Sequence, residues 1–151
     1  MSTRIVLFKL VVVSLLGLLG IAHAQSTREE LVAAGAKTLT APELREILSG
    51  GVGLAWTAVA GEFAGNKFEW KLDKDGSFAG LQIAQDWRAT NQGRWNVNDQ
   101  GQFCVSNGYW SVPGWASGKI ADGCREYLRL GADLFSVGAL GRVVKVTVTK
   151  L

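Results

Sequence analysis

Histidine is the residue whose absence constrains this sequence most. The chain has 151 residues and one histidine, His23, which lies in an N-terminal segment that we expect to be removed. The remaining chain therefore lacks a Ser-His-Asp or Cys-His catalytic group, a histidine general base and a histidine zinc site. Carboxylates, lysines, hydroxyls and two tyrosines are left for chemistry. We expect no catalytic residues, no metal and no cofactor.

Cysteine is almost as scarce. Cys104 and Cys124 are the only two in the sequence. An exported chain meets an oxidising compartment, where an even pair of cysteines favours a disulfide. The bond would close a loop of about 20 residues and restrict the unfolded chain by roughly 3 kcal/mol.

Residues 1–24 have the pattern of a secretory signal peptide. Arg4 and Lys9 give a basic start, an apolar run spans Leu10 to Ala22, and small residues in "AHA" end at Ala24. The run is shorter than the about 20 apolar residues that a membrane-spanning helix needs, and no basic stop follows it. We expect a periplasmic or secreted protein with no membrane span after cleavage.

Charge of either sign is not in excess once the signal is removed. Taking Arg4 and Lys9 from 16 basic residues leaves 14, against 13 Asp and Glu, which is a net charge of +1. No block of Lys and Arg makes a local patch. The processed chain therefore has no general attraction for nucleic acid or anionic lipid, and we expect no nucleic acid partner.

Two helical patterns lead the processed chain. Residues 25–38 predict a short N-terminal segment that is helical or frayed. Residues 40–49 predict a better helix, because Thr40 and Glu43 have the spacing of a capping box and two glycines follow the apolar face. We expect this leading helix to cover one end of a single β-rich domain at residues 39–151.

A strand pattern begins at Val52 and continues to the end of the sequence. Apolar and polar residues alternate in about eight short runs separated by glycine-containing turns, which is typical of an antiparallel sandwich or barrel. The phrase W-x-(L/V)-x-x-x-G-x-F occurs twice, at residues 70–78 and 95–103, and each copy predicts a β-hairpin. We predict an all-β fold with a short N-terminal helix, either an antiparallel small β-barrel or a meander sandwich.

Four stretches together resemble a family of small exported bacterial proteins known mainly as a domain of unknown function. They are "LTAPELREILSGG", "DKDGSFAG", "GRWNVNDQGQFCV" and the second cysteine in "GCREYLRL". The resemblance covers Leu39 to Val148, although Gln100 and Gly101 stand where the family tends to have Asp-Gly. It implies a periplasmic β-rich fold and carries over no catalytic residues.

Tryptophan is abundant, with six in the chain. Trp56, Trp70 and Trp95 lie in alternating strand patterns, so we expect them in the core or lining a barrel. The others lie in polar or glycine-rich stretches. Loops of that composition are usually at the surface, so we predict that an aromatic-rich loop at residues 107–118 binds a ligand or partner. The predicted binding residues are Tyr109, Trp110, Trp115 and Trp87.

Three functions remain open. The first is a non-enzymatic periplasmic or secreted binding module, a small barrel whose aromatic-rich loop binds an apolar or glycan ligand. The second is a protein-binding envelope accessory factor or inhibitor. The third is a hydrolase that uses two carboxylates, as glycosidases do. The candidate carboxylates for that chemistry are Glu62, Glu69, Asp86, Asp122, Glu126 and Asp133.

Overall fold

The computed structural model of the chain describes residues 27–138 and 141–151. The predicted signal peptide lies outside the described residues. Within them there are two α-helices, α1 (Arg28–Ala33) and α2 (Ala41–Leu48). The ten described β-strands are β1 (Lys37–Thr38), β2 (Val52–Thr57), β3 (Lys67–Leu72), β4 (Ser77–Ile83), β5 (Arg88–Val97), β6 (Gln102–Val112), β7 (Ala116–Ile120), β8 (Gly123–Leu130), β9 (Asp133–Val137) and β10 (Val143–Lys150).

Eight of these strands form a closed antiparallel β-barrel. Strands β2 to β6 pair in chain order, and so do β8, β9 and β10. Pairing of β10 with β2 joins the two groups on one side, and pairing of β6 with β8 closes the ring on the other. The predicted small β-barrel of about eight strands is confirmed, and the sandwich is the alternative that does not form.

The closure between β6 and β8 is short. It consists of four residue pairs, which join 102–105 of β6 to 123–126 of β8. Beyond them β6 pairs with β7 instead, and β8 pairs with β1. Cys104 and Cys124 are opposite each other in this short ladder, with Cα atoms 4.0 Å apart, and they form the predicted disulfide. We call this ladder the seam of the barrel.

The repeated phrase forms the two predicted hairpins. The first joins β3 to β4 with Leu72 opposite Phe78, and the second joins β5 to β6 with Val97 opposite Phe103. Residues 73–76 and 98–101 make the turns, and each turn ends in a glycine with positive φ, 80° at Gly76 and 77° at the second. The shared sequence therefore has a structural role, because it places an aliphatic and an aromatic side chain inside the barrel twice.

Helix α2 covers the end of the barrel where these two turns lie. Its start is fixed by the Glu43 carboxylate, which accepts hydrogen bonds from the Thr40 N–H (2.8 Å) and hydroxyl (2.7 Å). Leu44 and Leu48 are fully buried in the barrel core. Arg45 then ties the helix to the carbonyl of Val97 at 3.0 Å. This end of the barrel is filled with apolar side chains.

Large inward side chains lie over glycines on the neighbouring strand. Trp70 is opposite Gly80 on β4, and the ring of Phe78 covers Gly93 on β5. A Cβ added at Gly93 would be 2.6 Å from the Phe78 ring. The missing side chains thus make room for aromatic rings in a barrel of only eight strands.

The packing over Gly93 makes a stability prediction. Gly93→Ala should lower the free energy of unfolding by about 1 to 3 kcal/mol, because the core has no room for the added methyl group. Urea unfolding measures the effect. Gly123→Ala is the matched control, since nothing lies within 4 Å of its Cβ position and it also sits on a barrel strand. Equal midpoints for the two variants would contradict the packing argument.

The seam makes a second prediction. Replacing Cys104 and Cys124 by serine should lower stability by roughly 3 kcal/mol. Backbone amide exchange should accelerate more in the four-pair seam than in the six-pair hairpin of β3 and β4, because the seam is the short ladder that the disulfide crosses. Uniform acceleration across the barrel would show that the disulfide acts only through the unfolded chain.

Candidate functional site

The end of the barrel opposite α2 carries most of the exposed aromatic side chains. The connections between β2 and β3, β4 and β5, and β6 and β7 all lie there, since the intervening turns lie beside α2. We call it the aromatic end. Its aromatic residues are Trp56, Phe63, Phe68, Trp87, Trp110 and Trp115.

Residues 107–118 are a β-ribbon and not the surface loop that we predicted. Strand β6 continues to Val112, a turn with Gly114 at φ 73° follows, and β7 returns along β6. Two of the three glycines in this stretch, Gly108 and Gly118, are strand positions covered by a neighbouring side chain. The Trp110 ring lies over Gly118, where an added Cβ would be 2.9 Å from the indole nitrogen.

The ribbon divides the four predicted binding residues. Trp115, 73% exposed in the turn, meets Trp87 edge to face with ring centres 6.5 Å apart. Tyr109 is 42% exposed, whereas the next residue, Trp110, is half-buried over Gly118. Neighbouring strand residues face opposite sides of a sheet, so these two do not share a surface. The structure brings together Trp87 and Trp115.

The inner wall of the aromatic end contains residues that sequence reasoning missed. Four inward positions on neighbouring strands are cross-strand partners in one row: Trp56, Phe68, Gln82 and Ala89. Trp56 stacks on Phe68 with ring centres 5.0 Å apart, and both are partly exposed. The strand alternation Phe78, Gly80, Gln82 was the available signal for a polar residue inside the barrel.

Two buried amides differ in how their hydrogen bonds are satisfied. Asn91, 3% exposed, accepts from the Trp70 indole N–H at 3.1 Å and donates to the Thr90 carbonyl at 3.1 Å. Gln82 is 6% exposed, and its Nε2 has no hydrogen-bond partner among the residues that the structure describes. An amide donor left unpaired at this depth costs free energy, so Gln82 needs an explanation.

Three of the six candidate carboxylates are already engaged in hydrogen bonds or an ion pair. Glu126 binds Arg28 through two hydrogen bonds of 2.8 and 2.9 Å, and these bonds lower the pKa of the carboxyl group. Asp133 pairs with Lys145 at 2.7 Å, and Asp122 accepts the N–H of Asn107. In the described part of the chain no group of three His, Cys, Asp or Glu side chains could hold a metal ion.

Two shallow grooves lie away from the aromatic end. The larger, about 480 Å³, lies between β1, the start of α2 and the β8–β9 turn, where Lys37 and Arg129 stand opposite each other on paired strands. Glu43 between them already holds the helix start, and the two cations lower the pKa of its carboxyl group after the Thr40 hydrogen bonds. The charged side chains that line this groove are therefore two cations and one carboxylate that is engaged in the helix start.

These features define a class of protein: a small closed β-barrel whose ring is joined by a disulfide and whose one end is covered by a helix. The chain belongs to the family described as "Protein of unknown function (DUF995)", whose model matches residues 13–136. No curated protein and no solved structure matches the chain. None of the helices within residues 27–138 and 141–151 is long and apolar enough to cross a membrane.

Tyr127 inside the barrel predicts a loss of stability in alkali. Burial raises the pKa of its phenol to about 12, from about 10 in an unfolded chain. Its contribution is therefore fully present below about pH 10 and is lost as the pH rises towards 12, by up to about 1.4 kcal/mol per pH unit.

Two variants isolate this effect. The free energy of unfolding of Tyr127→Phe, measured by urea unfolding at rising pH, should fall less steeply in alkali than that of the wild type. Tyr109→Phe leaves Tyr127 as the only tyrosine, so phenolate absorbance then reports its titration alone. A midpoint near 10 in the folded Tyr109→Phe protein would contradict the burial of this phenol.

Proposed function

We propose that the protein is a non-enzymatic binding module of the periplasm or of the secreted fraction, and that it holds a small apolar or glycan ligand at the aromatic end. The observation that carries the proposal is the edge-to-face pair of the exposed Trp115 and the half-buried Trp87. A tryptophan that is 73% exposed contributes little to the stability of the barrel. Exposed, rigidly held aromatic residues are typical of binding surfaces.

Local geometry supports pre-organisation of this pair. Trp115 lies in a short turn closed by a hydrogen bond from its N–H to the Val112 carbonyl at 3.1 Å. The turn joins the paired strands β6 and β7, and the disulfide ties β6 to β8, the strand that follows β7. Trp87 follows a similar tight turn, in which its carbonyl accepts the N–H of Ala84 at 3.0 Å. A ligand therefore meets side chains on ordered backbone, and less entropy is lost on binding.

The filling of the barrel indicates where a ligand would bind. Helix α2 and the two hairpins fill one half with apolar side chains, and Trp70 stacks on Phe78 with ring centres 4.2 Å apart at mid-height. A deep apolar ligand has no space there. The partly exposed rings of Trp56 and Phe68 continue the aromatic surface inward from the other end, so we place the ligand at that end.

A protein partner is the second candidate, and one observation favours it. Among the described strands, β7 pairs only with β6, so its other edge has free backbone groups next to the turn that carries the exposed Trp115. An edge of this kind can accept a strand from another protein. An envelope accessory factor or inhibitor would use that edge together with Trp115.

Export supports both candidates. The Cys104–Cys124 disulfide is the form of this pair that is stable in an oxidising compartment. The N-terminal sequence has the pattern of a cleaved signal. We propose the periplasm or the cell exterior as the place where the module works, and the near-neutral charge of the processed chain argues against nucleic acid as its partner.

The binding proposal predicts the effect of two substitutions. Trp87→Ala and Trp115→Ala should leave the urea midpoint nearly unchanged and weaken binding by at least about 2 kcal/mol, the range of interface hot spots. Native mass spectrometry of protein isolated from its own cell envelope shows whether a small molecule or a protein accompanies the wild type, and the substitutions should remove that species.

Leu151→Ala is the matched control for loss of an exposed apolar side chain. Leu151 is 68% exposed beside the α2 end, where its N–H meets the Gly51 carbonyl at 3.4 Å. This variant should keep the bound species. Retention of that species by Trp87→Ala and Trp115→Ala as well would place binding elsewhere on the protein, and unfolding of both would show that the pair supports the core.

A further inference from the structure

Gln82 is one of two buried polar side chains in the described residues with an atom that has no hydrogen-bond partner, and Ser136 is the other. Gln82 stands on the inner face of β4, one residue before the strand ends, and only 6% of it is exposed. Its amide nitrogen has no hydrogen-bond partner among the described residues. Proteins leave few buried donors unpaired, because each one forfeits its hydration without a replacement bond.

The neighbours of Gln82 do not offer it a partner. Its cross-strand neighbours are Phe68 on β3 and Ala89 on β5, and both have apolar side chains. The nearest inward amide in the next row, Asn91, already bonds to Trp70 and to the Thr90 carbonyl. A trapped water needs two to four polar partners, which this apolar surrounding does not provide. The free N–H is therefore suited to an acceptor that arrives with a ligand.

The surrounding rings indicate the rest of that ligand. Phe68 beside Gln82 stacks on Trp56, and Trp56 meets Trp70 edge to face with ring centres 5.0 Å apart. Trp56 and Phe68 are partly exposed, so the row that contains Gln82 reaches solvent at the aromatic end. A flat apolar group can stack on these rings while an oxygen at its inner edge reaches Gln82.

We infer that Gln82 is a ligand-binding residue, and that the ligand is a small, largely apolar molecule with one hydrogen-bond acceptor oxygen that takes the Gln82 Nε2–H. The inference rests on the proposed function and deepens it by adding the acceptor group. The carboxylate, carbonyl or sulfonate of an aromatic or aliphatic compound has this chemistry. In this arrangement the pair of Trp87 and Trp115 borders the entrance, and Gln82 selects what enters.

The test uses two fluorescent probes that differ in one group. N-phenyl-1-naphthylamine has the apolar rings, and 8-anilinonaphthalene-1-sulfonate has the same rings with an acceptor sulfonate. Both are titrated against the disulfide-bonded, processed protein and against Gln82→Leu. We expect Gln82→Leu to lose about tenfold or more in affinity for the sulfonate, because one charge-assisted hydrogen bond is removed. Affinity for the amine should stay within about twofold.

Two further variants keep the test decisive. Gln92→Leu makes the same change at an exposed, outward position of β5 and should alter neither affinity. Gln82→Met keeps the length of the side chain without its donor and serves if the leucine variant does not fold. The melting temperature of either Gln82 variant should rise, because an unpaired buried donor is replaced by an apolar group.

Each outcome separates the inference from the proposed function. Equal changes for the two probes in Gln82→Leu, or no change for either, overturn the role of Gln82. Trp115→Ala should weaken both probes, because it removes ring contact and no acceptor contact. If Trp115→Ala weakens both while Gln82→Leu weakens neither, the aromatic end binds ligands without Gln82. If Gln82→Leu weakens binding of the sulfonate and Trp115→Ala weakens binding of neither probe, Gln82 is a ligand-binding residue and the proposed entrance is wrong.

Discussion

The closure of the barrel depends on a ladder of four residue pairs between β6 and β8. Every other junction in the ring joins consecutive strands, except the four-pair ladder between β10, the last strand, and β2, the first strand of the ring. The seam is the place where the two meanders meet, and it is crossed by the Cys104–Cys124 bond. Without that meeting, the inner faces of both meanders would be open to water.

The short seam also explains the shape of the aromatic end. Because β6 leaves β8 after residue 105, its remaining length pairs with β7 and forms the ribbon that carries Trp115. A longer seam would pair that part of β6 inside the ring and leave no projecting turn. The disulfide crosses this four-pair seam, and the part of β6 that is not used for closure leads to the turn with the exposed Trp115.

Sequence reasoning found the features that depend on local pattern. Alternation predicted the strands, the repeated phrase predicted two hairpins, and two cysteines predicted the bond. It was wrong about residues 107–118. Glycine in a sequence suggests a loop, but glycines 108 and 118 are strand residues whose missing side chains leave room for a neighbouring side chain. Only the register shows that Ile120 and Trp110 lie over those positions.

The candidate site was harder to predict from the sequence, because it depends on contacts between parts of the chain that are distant in sequence. Tryptophan is conspicuous in a sequence, so Trp87 and Trp115 could be singled out, but their contact joins two connections 28 residues apart that only the closed ring brings together. Gln82 was missed because glutamine is usually at the surface. Side chains alternate along a strand, so Gln82 faces the same side of β4 as Gly80, two residues earlier. That side is known to be the inner one only when the structure is known.

The two ends of the described chain lie at opposite ends of the barrel. Thr27 forms a β-bridge with Arg142, which directly precedes β10 and so lies at the aromatic end. Leu151 lies beside Gly51 at the end that α2 covers. A surface or fusion partner joined through Leu151 would present Trp115 to the solution, whereas attachment ahead of Thr27 would turn the same residue towards the support. The orientation in which the protein is held thus decides which end is open to a binding partner.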